Sequence, residues 1–241
     1  MKGQKHAFTK EELERRISYY SELITAERLQ KMNTVLRNRT RYISVALENI
    51  FQPHNASAVL RSCDAFGIQD VHIIENSNRF SSNSAVDMGT SQWLTLQRYR
   101  KEKNNTIHAI EALKDQGYRV VATSPHADDI DLEEFDLTRG KAVFLFGTEL
   151  DGLTPEAMEA ADEYVKIPMF GFVESFNISV CVALTLHRLV QSLHESGLNW
   201  HLSEHEQMTL LHEWLRNSIR KPELHDDILM NSGENLPKSH I

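Results

Sequence analysis

Apolar residues recur at helical intervals over residues 9–38. Leu13, Ile17, Tyr20 and Ile24 form one stripe, and Leu29, Met32, Val35 and Leu36 continue it after a break near Thr25. Thr9 followed by Glu12 has the spacing of a capping box, so a helix starts there. The period then changes. Residues 42–47 are β-branched and apolar and read as a strand, as do 71–74, 93–96, 120–123, 142–146 and 165–167. Helices are predicted between them: one capped by Asn55 and ended by Gly67, one over 107–116, one opened by Thr154 and Pro155, and a long one over 177–196. A terminal helix is predicted over 203–219. The polar tail from Lys221 reads as frayed and the stretch 76–84 as a mobile loop.

Strands alternating with helices imply an α/β fold, a parallel sheet with helices on both faces over 42–196. A basic helical arm (1–41) and a helical extension with its tail (197–241) flank it. No internal repeat and no second core stand out. In open parallel sheets ligands bind beyond the carboxyl ends of the strands. Three loops fall there, 52–55, 147–153 and 168–177, and each carries small or polar residues beside apolar strands. They predict a cleft without naming its chemistry.

At 241 residues and 41% hydrophobic, the chain is long enough for a sizeable core and too apolar for disorder. No apolar run approaches the roughly 20 residues of a membrane-spanning helix. Cys63 and Cys181 cannot make a disulfide framework, which points to the cytoplasm, and both read as core fillers in apolar helices. Net charge is −8, but residues 1–41 hold ten Lys/Arg against five Glu, leaving −13 on the other 200. A basic arm on an acidic body suggests local contact with a polyanion, against the alternative of a solvated helix face. No dinucleotide fingerprint, phosphate loop or nucleophile elbow is present. His201, His205 and His212 have helical spacing but no convincing carboxylate partner; they read as an exposed cluster, and no metal is expected.

The three loops resemble, in order and spacing, the motifs of the SPOUT superfamily, TrmH family of RNA 2′-O-ribose methyltransferases. The matching segments are NASAVLRSCDAFG from Asn55 to Gly67, FGTELDGL from Phe146 to Leu153, and IPMFGFVESFNISV from Ile167 to Val180. The resemblance covers about residues 25–200. It implies a carboxy-terminal deep trefoil knot, S-adenosyl-L-methionine as cofactor held by the knotted loops, and a homodimer. It also implies methyl transfer to a ribose 2′-oxygen of RNA. Short helical arms at both ends resemble those of family members that act on guanosine 18 of the tRNA D-loop. Alternatives are rRNA, another tRNA position, or an inactive RNA-binding protein of the same fold.

The same resemblance assigns roles. Arg61 would be catalytic, either anchoring a phosphate to orient the hydroxyl or stabilising developing oxyanion charge; its pKa above about 12 makes literal proton abstraction difficult. The bland reading of Arg61 is a pair with Asp64. Asn55, Glu149, Ser175 and Asn177 would complete the catalytic set, although capping accounts for the two asparagines as well. Thr123, Gly147, Gly152, Ile167 and Phe176 would contact the cofactor. Gly147, Gly152 and Gly171 would let backbone approach closely or take positive φ. Lys31, Arg37, Arg39 and Arg41, with Arg61, would meet RNA phosphates. Glu174 and Phe176 stand where similar enzymes usually have glutamine and leucine, and 184–194 lacks the basic cluster of similar tRNA enzymes.

Overall fold

The computed structural model describes residues 8–81, 89–124 and 129–231. Its strands are β1 (Ile43–Glu48), β2 (Asp70–Ile74), β3 (Thr95–Tyr99), β4 (Arg119–Thr123), β5 (Ile130–Asp131), β6 (Ala142–Phe146) and β7 (Glu163–Lys166). Among the described residues the α-helices are α1 (Lys10–Ser21), α2 (Ala26–Leu36), α3 (Pro53–Ala65), α4 (Asn105–Asp115), α5 (Pro155–Ala160), α6 (Ile178–Glu195), α7 (Glu204–Asn217) and α8 (Pro222–Asn231). The seven strands form one sheet in the order β3-β2-β1-β6-β4-β7-β5, and every pair is parallel.

β1, β2 and β6 are buried at every position, which is why their sequences run apolar without a polar alternation. One face of the sheet packs Ile43, Val45 and Leu47 against Val59, Leu60 and Cys63 of α3 and Val182, Leu186 and Leu189 of α6. The other packs Ala46, Val120 and Val143 against Ala109, Ile110 and Leu113 of α4 and Ala157 of α5. Helices therefore cover both faces, and all strands end at one edge.

Several expectations change in detail. The stripe over 9–38 is two helices, because Thr25 accepts from the Arg28 amide and caps a second one. Thr9 and Glu12 form the capping box of the first. α3 starts at Pro53 with Gln52 as its cap residue, so Asn55 lies inside the first turn and is not the cap. Proline at the first position already fixes a helical φ there and needs no donor partner. The segment expected as a mobile loop over 76–84 is tied down at its start. Asn49, at φ 56°, accepts from the Asn76 and Ser77 amides through Oδ1 and from Asn78 Nδ2 through its carbonyl. Phe80 is buried. Residues 82–84 of that loop, and the tail beyond 231, lie outside the described residues.

The chain falls into two units, residues 39–201 and a helical unit made from both ends, 8–38 with 202–231. The helical unit buries Leu13, Tyr20, Met32, Leu36, Leu211, Trp214, Leu215 and Leu229, so a second core exists after all. Its halves come from opposite ends of the chain, and no local window contains it. His212 is buried there against Phe8 and Tyr20, ring centroids 5.4 and 5.7 Å away, and does not belong to an exposed histidine face. The tail does not fray at Lys221. It enters α8, where Asp226 accepts from Arg16 at 3.0 Å, Arg216 at 2.8 Å and the Tyr20 hydroxyl at 2.8 Å.

Candidate active site

β1, β4, β6 and β7 deliver their carboxyl ends side by side or one strand apart, and the loops that follow shape a cavity of about 420 Å³. Residues 147–153 form one wall. Thr148 and Gly152 exchange backbone hydrogen bonds at 3.0 and 3.1 Å, closing a tight loop. Two glycines make this possible. Gly152 has φ +69°, and a Cβ on Gly147 would collide with the backbone of Gly152 and Leu153. Gly171, by contrast, is exposed with open space around it and no positive φ, so neither reason for a glycine applies there. Thr123 and Ser124 at the end of β4, Val165 and Ile167, and Ser175 and Phe176 complete the walls, with Ile178 and Cys181 from α6.

The loop over 147–153 is held from below. Thr154 donates its amide and hydroxyl to the two carboxylate oxygens of Glu48, at 2.9 and 2.8 Å, and Thr106 donates its hydroxyl to the same group. Glu48 is 1% exposed at the end of β1. It joins the starts of α4 and α5, where helix dipoles favour a carboxylate. Sequence reasoning missed it. The available signal was an acid ending a strand buried on both faces.

Asn55 gathers the three motif loops. Its Nδ2 donates to Gln52 Oε1 at 3.0 Å and to Glu149 Oε1, and its Oδ1 accepts from Asn177 Nδ2 at 3.2 Å. Asn177 in turn caps α6, its Oδ1 accepting from the Ser179 amide at 2.9 Å. Asn55 is 4% exposed, so this polar cluster is desolvated on one side. Glu149 also lines the cavity, and so links the cluster to it. Gln52 was not singled out from the sequence, since an exposed glutamine before a proline carries no signal.

All five residues named for cofactor contact, Thr123, Gly147, Gly152, Ile167 and Phe176, line the cavity, as do Glu149 and Ser175. Asn55, Asn177 and Arg61 are not part of that lining. Arg61 is exposed on α3, about 9 Å along the helix axis from Asn55 and about 120° around it. It does not pair with Asp64, which instead pairs with Arg39. Arg39 is 1% exposed and also donates to the Ile68 carbonyl at 3.1 Å, so it is closed to a phosphate. Arg41 is half-buried with Asp70, Nε to Oδ2 3.0 Å. Lys31 and Arg37 are exposed. Burial pushes the Cys181 thiol up to about 11 and the Cys63 thiol up to about 12, which keeps both protonated near neutrality. Among the described residues no group of three or more His, Cys, Asp or Glu is placed to hold a metal, and no helix is long and apolar enough to cross a membrane.

Residues 42–187 match the SpoU rRNA Methylase family. The chain belongs to the SpoU methylase family. Within it, a protein of Borreliella burgdorferi named tRNA (guanosine(18)-2'-O)-methyltransferase is 40% identical over 215 residues, 89% of this chain and 96% of that one. A protein of the same name from Thermus thermophilus is 34% identical over 194 residues, 80% of this chain and 97% of its own. The crystal structure of the A. aeolicus TrmH/SpoU tRNA modifying enzyme superposes with a TM-score of 0.72 at 28% identity, covering 81% of this chain and 98% of that one. The SpoU matched region spans the sheet and all three motif loops.

Proposed function

We propose that this SpoU methylase is a tRNA guanosine-18 2′-O-methyltransferase that uses S-adenosyl-L-methionine. The observation that carries the reading is the meeting of the three motif loops at Asn55, beside a cavity of cofactor size. The likeness to relatives of that name over nearly their whole length supports tRNA over rRNA.

The cavity suits the cofactor. Phe146, Val165, Ile167 and Ile178 offer an apolar slot, and the main chain of 147–153 closes over it at the glycine where a Cβ would not fit. Glu149, Asp151 and Glu174 put negative charge around its walls, which complements a sulfonium. When bound, the cofactor supplies an electrophilic methyl group. The chain's own residues hold the other reactant. Asn55, locked by Glu149 and Asn177, and Ser175 at the cavity wall present the ribose. Arg61 is the cation that orients the neighbouring phosphate and steadies charge developing on the 2′-oxygen, whose proton passes to solvent water as the methyl group is taken from the sulfonium. Alignment of the two reactants supplies much of the acceleration, and no metal is required.

Catalysis is assigned to residues 42–196 and RNA contact to the terminal helices, with Lys31 and Arg37 as phosphate contacts. β6 and β7 come late in the chain yet lie inside the sheet, flanked by earlier strands, which supports a carboxy-terminal trefoil knot. Leu150, Phe170, Phe172 and Val173 are 89, 97, 109 and 66% exposed, an apolar surface that suits a homodimer. The cytoplasm, where tRNA is matured, is the natural location.

The test is transfer of label from S-adenosylmethionine to an unmodified tRNA transcript, with the labelled nucleotide mapped. Label on the ribose of the D-loop guanosine is expected. Label elsewhere on tRNA keeps the chemistry and moves the target, while no label on tRNA or rRNA fragments rejects the reading. Arg61→Ala is expected to abolish transfer with cofactor affinity near normal; substantial residual transfer removes Arg61 from the mechanism.

A further inference from the structure

The carboxyl edge of the sheet continues past the active site to β3, and its charge changes sign there. Residues 98–103, RYRKEK, carry four cations and one acid on a chain of net charge −8. Arg98, Arg100, Lys101 and Lys103 are all exposed, as is Arg79 in the segment after β2. Among the described residues none of the five is paired with a carboxylate.

These cations sit on a fixed frame. β3 is in register with β2, Ile73 opposite Arg98 and Ile74 opposite Tyr99. Asn105 clamps the turn beyond it, accepting from the Glu102 amide at 3.0 Å and donating to the carbonyls of Glu102 and Glu75, both at 3.1 Å. Its own amide donates to Asn76 Oδ1 at 2.9 Å. Arg98 donates to the Phe80 carbonyl at 3.4 Å and lies 5.4 Å from the Phe80 ring centroid, which brings Arg79 to the same edge. Because all strands are parallel, this edge is the one that carries Pro53–Asn55 after β1 and the cavity loops after β4, β6 and β7. β3 is three strands from β6, on the order of 14 Å at ordinary strand spacing. That is a span of a few nucleotides.

We propose that Arg79, Arg98, Arg100, Lys101 and Lys103 form a phosphate-binding rim that holds the RNA backbone beside the active site. This rests on the RNA reading above. Methyl transfer needs the RNA strand held in one register at the cavity. A rim on the sheet itself fixes that register, since phosphate contacts position a strand without reading it.

The test compares the full chain with its Arg100→Gln/Lys101→Gln/Lys103→Gln variant. Binding of a full-length unmodified tRNA transcript is followed by anisotropy across salt concentrations, with S-adenosylhomocysteine affinity and melting temperature measured in parallel. Among the described residues these three side chains make no hydrogen bond or ion pair, so melting and cofactor affinity should hold. RNA affinity should fall about 10- to 100-fold near 0.1 M salt, with the salt slope lower by about two. Equal RNA affinity and slope in the two proteins overturn the rim and leave the tRNA reading standing. A native chain that binds the cofactor product but no tRNA overturns both. A loss that appears only together with lost melting temperature or cofactor affinity also overturns the rim, and Lys101→Glu/Lys103→Glu checks the sign, since it should weaken RNA more than Lys101→Gln/Lys103→Gln.

Discussion

The two units bury charge in different ways. In the helical unit Asp226 accepts from Arg16, Arg216 and Tyr20, and this closed set ties α1, α7 and α8 together. At the sheet edge the Asn55 cluster is open on one side, because Glu149 belongs both to it and to the cavity wall. A buried polar set that satisfies itself specifies a packing. One that shares a member with a cavity has capacity left for a ligand. The difference separates structural from functional polarity, and substitutions should split along it.

Among the substitutions that separate the two units, the largest effect is expected at Asn55. Asn55→Ala leaves Glu149 and Asn177 without their common partner, and the transfer rate should fall by about 10²–10³, the scale of losing a positioned polar contact. Cofactor affinity should change little, because Asn55 does not line the cavity. A variant with near-native turnover would show that the cluster is only a structural knot of hydrogen bonds. Gly147→Ala comes next. The methyl group would force the turn against Gly152 and Leu153 apart, so S-adenosylhomocysteine should bind on the order of 100-fold more weakly. Unchanged binding would show that this turn is not a wall of the cofactor site.

Asp226→Asn should do the reverse. Two arginines lose their carboxylate in the helical unit, and stability should drop by about 2 kcal/mol, discounted for the partial exposure of the pair. Cofactor affinity should stay put. If it fell as Asn55→Ala left it intact, the division between the two units would be wrong.

These contrasts were only partly legible in the sequence. β1 and β6 were plain because strands buried on both faces read as short apolar runs, and Thr9, Thr154 and Asn177 announced their helices through capping chemistry. β5, at two residues, leaves no periodicity to find. Asn55 has the chemistry of a cap, but Pro53 starts the helix two residues before it. The three loops were visible as small and polar residues beside apolar strands. Their joining was not, since Asn55 and Glu149 are 94 positions apart. Arg39 misled for the same reason: it stands among exposed cations in the sequence, and only the fold brings Asp64 and Ile68 around it. The helical core was hidden because the two chain ends supply its halves.

In one respect the two units should behave alike. Each buries a histidine, His72 in the sheet beside Tyr99 and Tyr118, and His212 in the helical unit beside Phe8 and Tyr20. Burial lowers the His72 imidazole to about 4, and burial followed by the nearby Arg16 lowers His212 to about 4. Both are therefore neutral in the folded chain, while the unfolded chain takes up their protons near pH 6.5. The unfolded state binds more protons between these values, so stability present above about pH 6.5 is lost as pH falls towards 4. By pH 5 each histidine should account for roughly 1–2 kcal/mol of that loss. Urea midpoints at pH 7 and pH 5 measure it, and His72→Phe should remove about half of the difference. A pH slope untouched by that substitution would mean that acid sensitivity lies elsewhere, in carboxylates such as Asp226, where burial raises the pKa but the arginine and tyrosine partners together outweigh it and hold the group below the usual range.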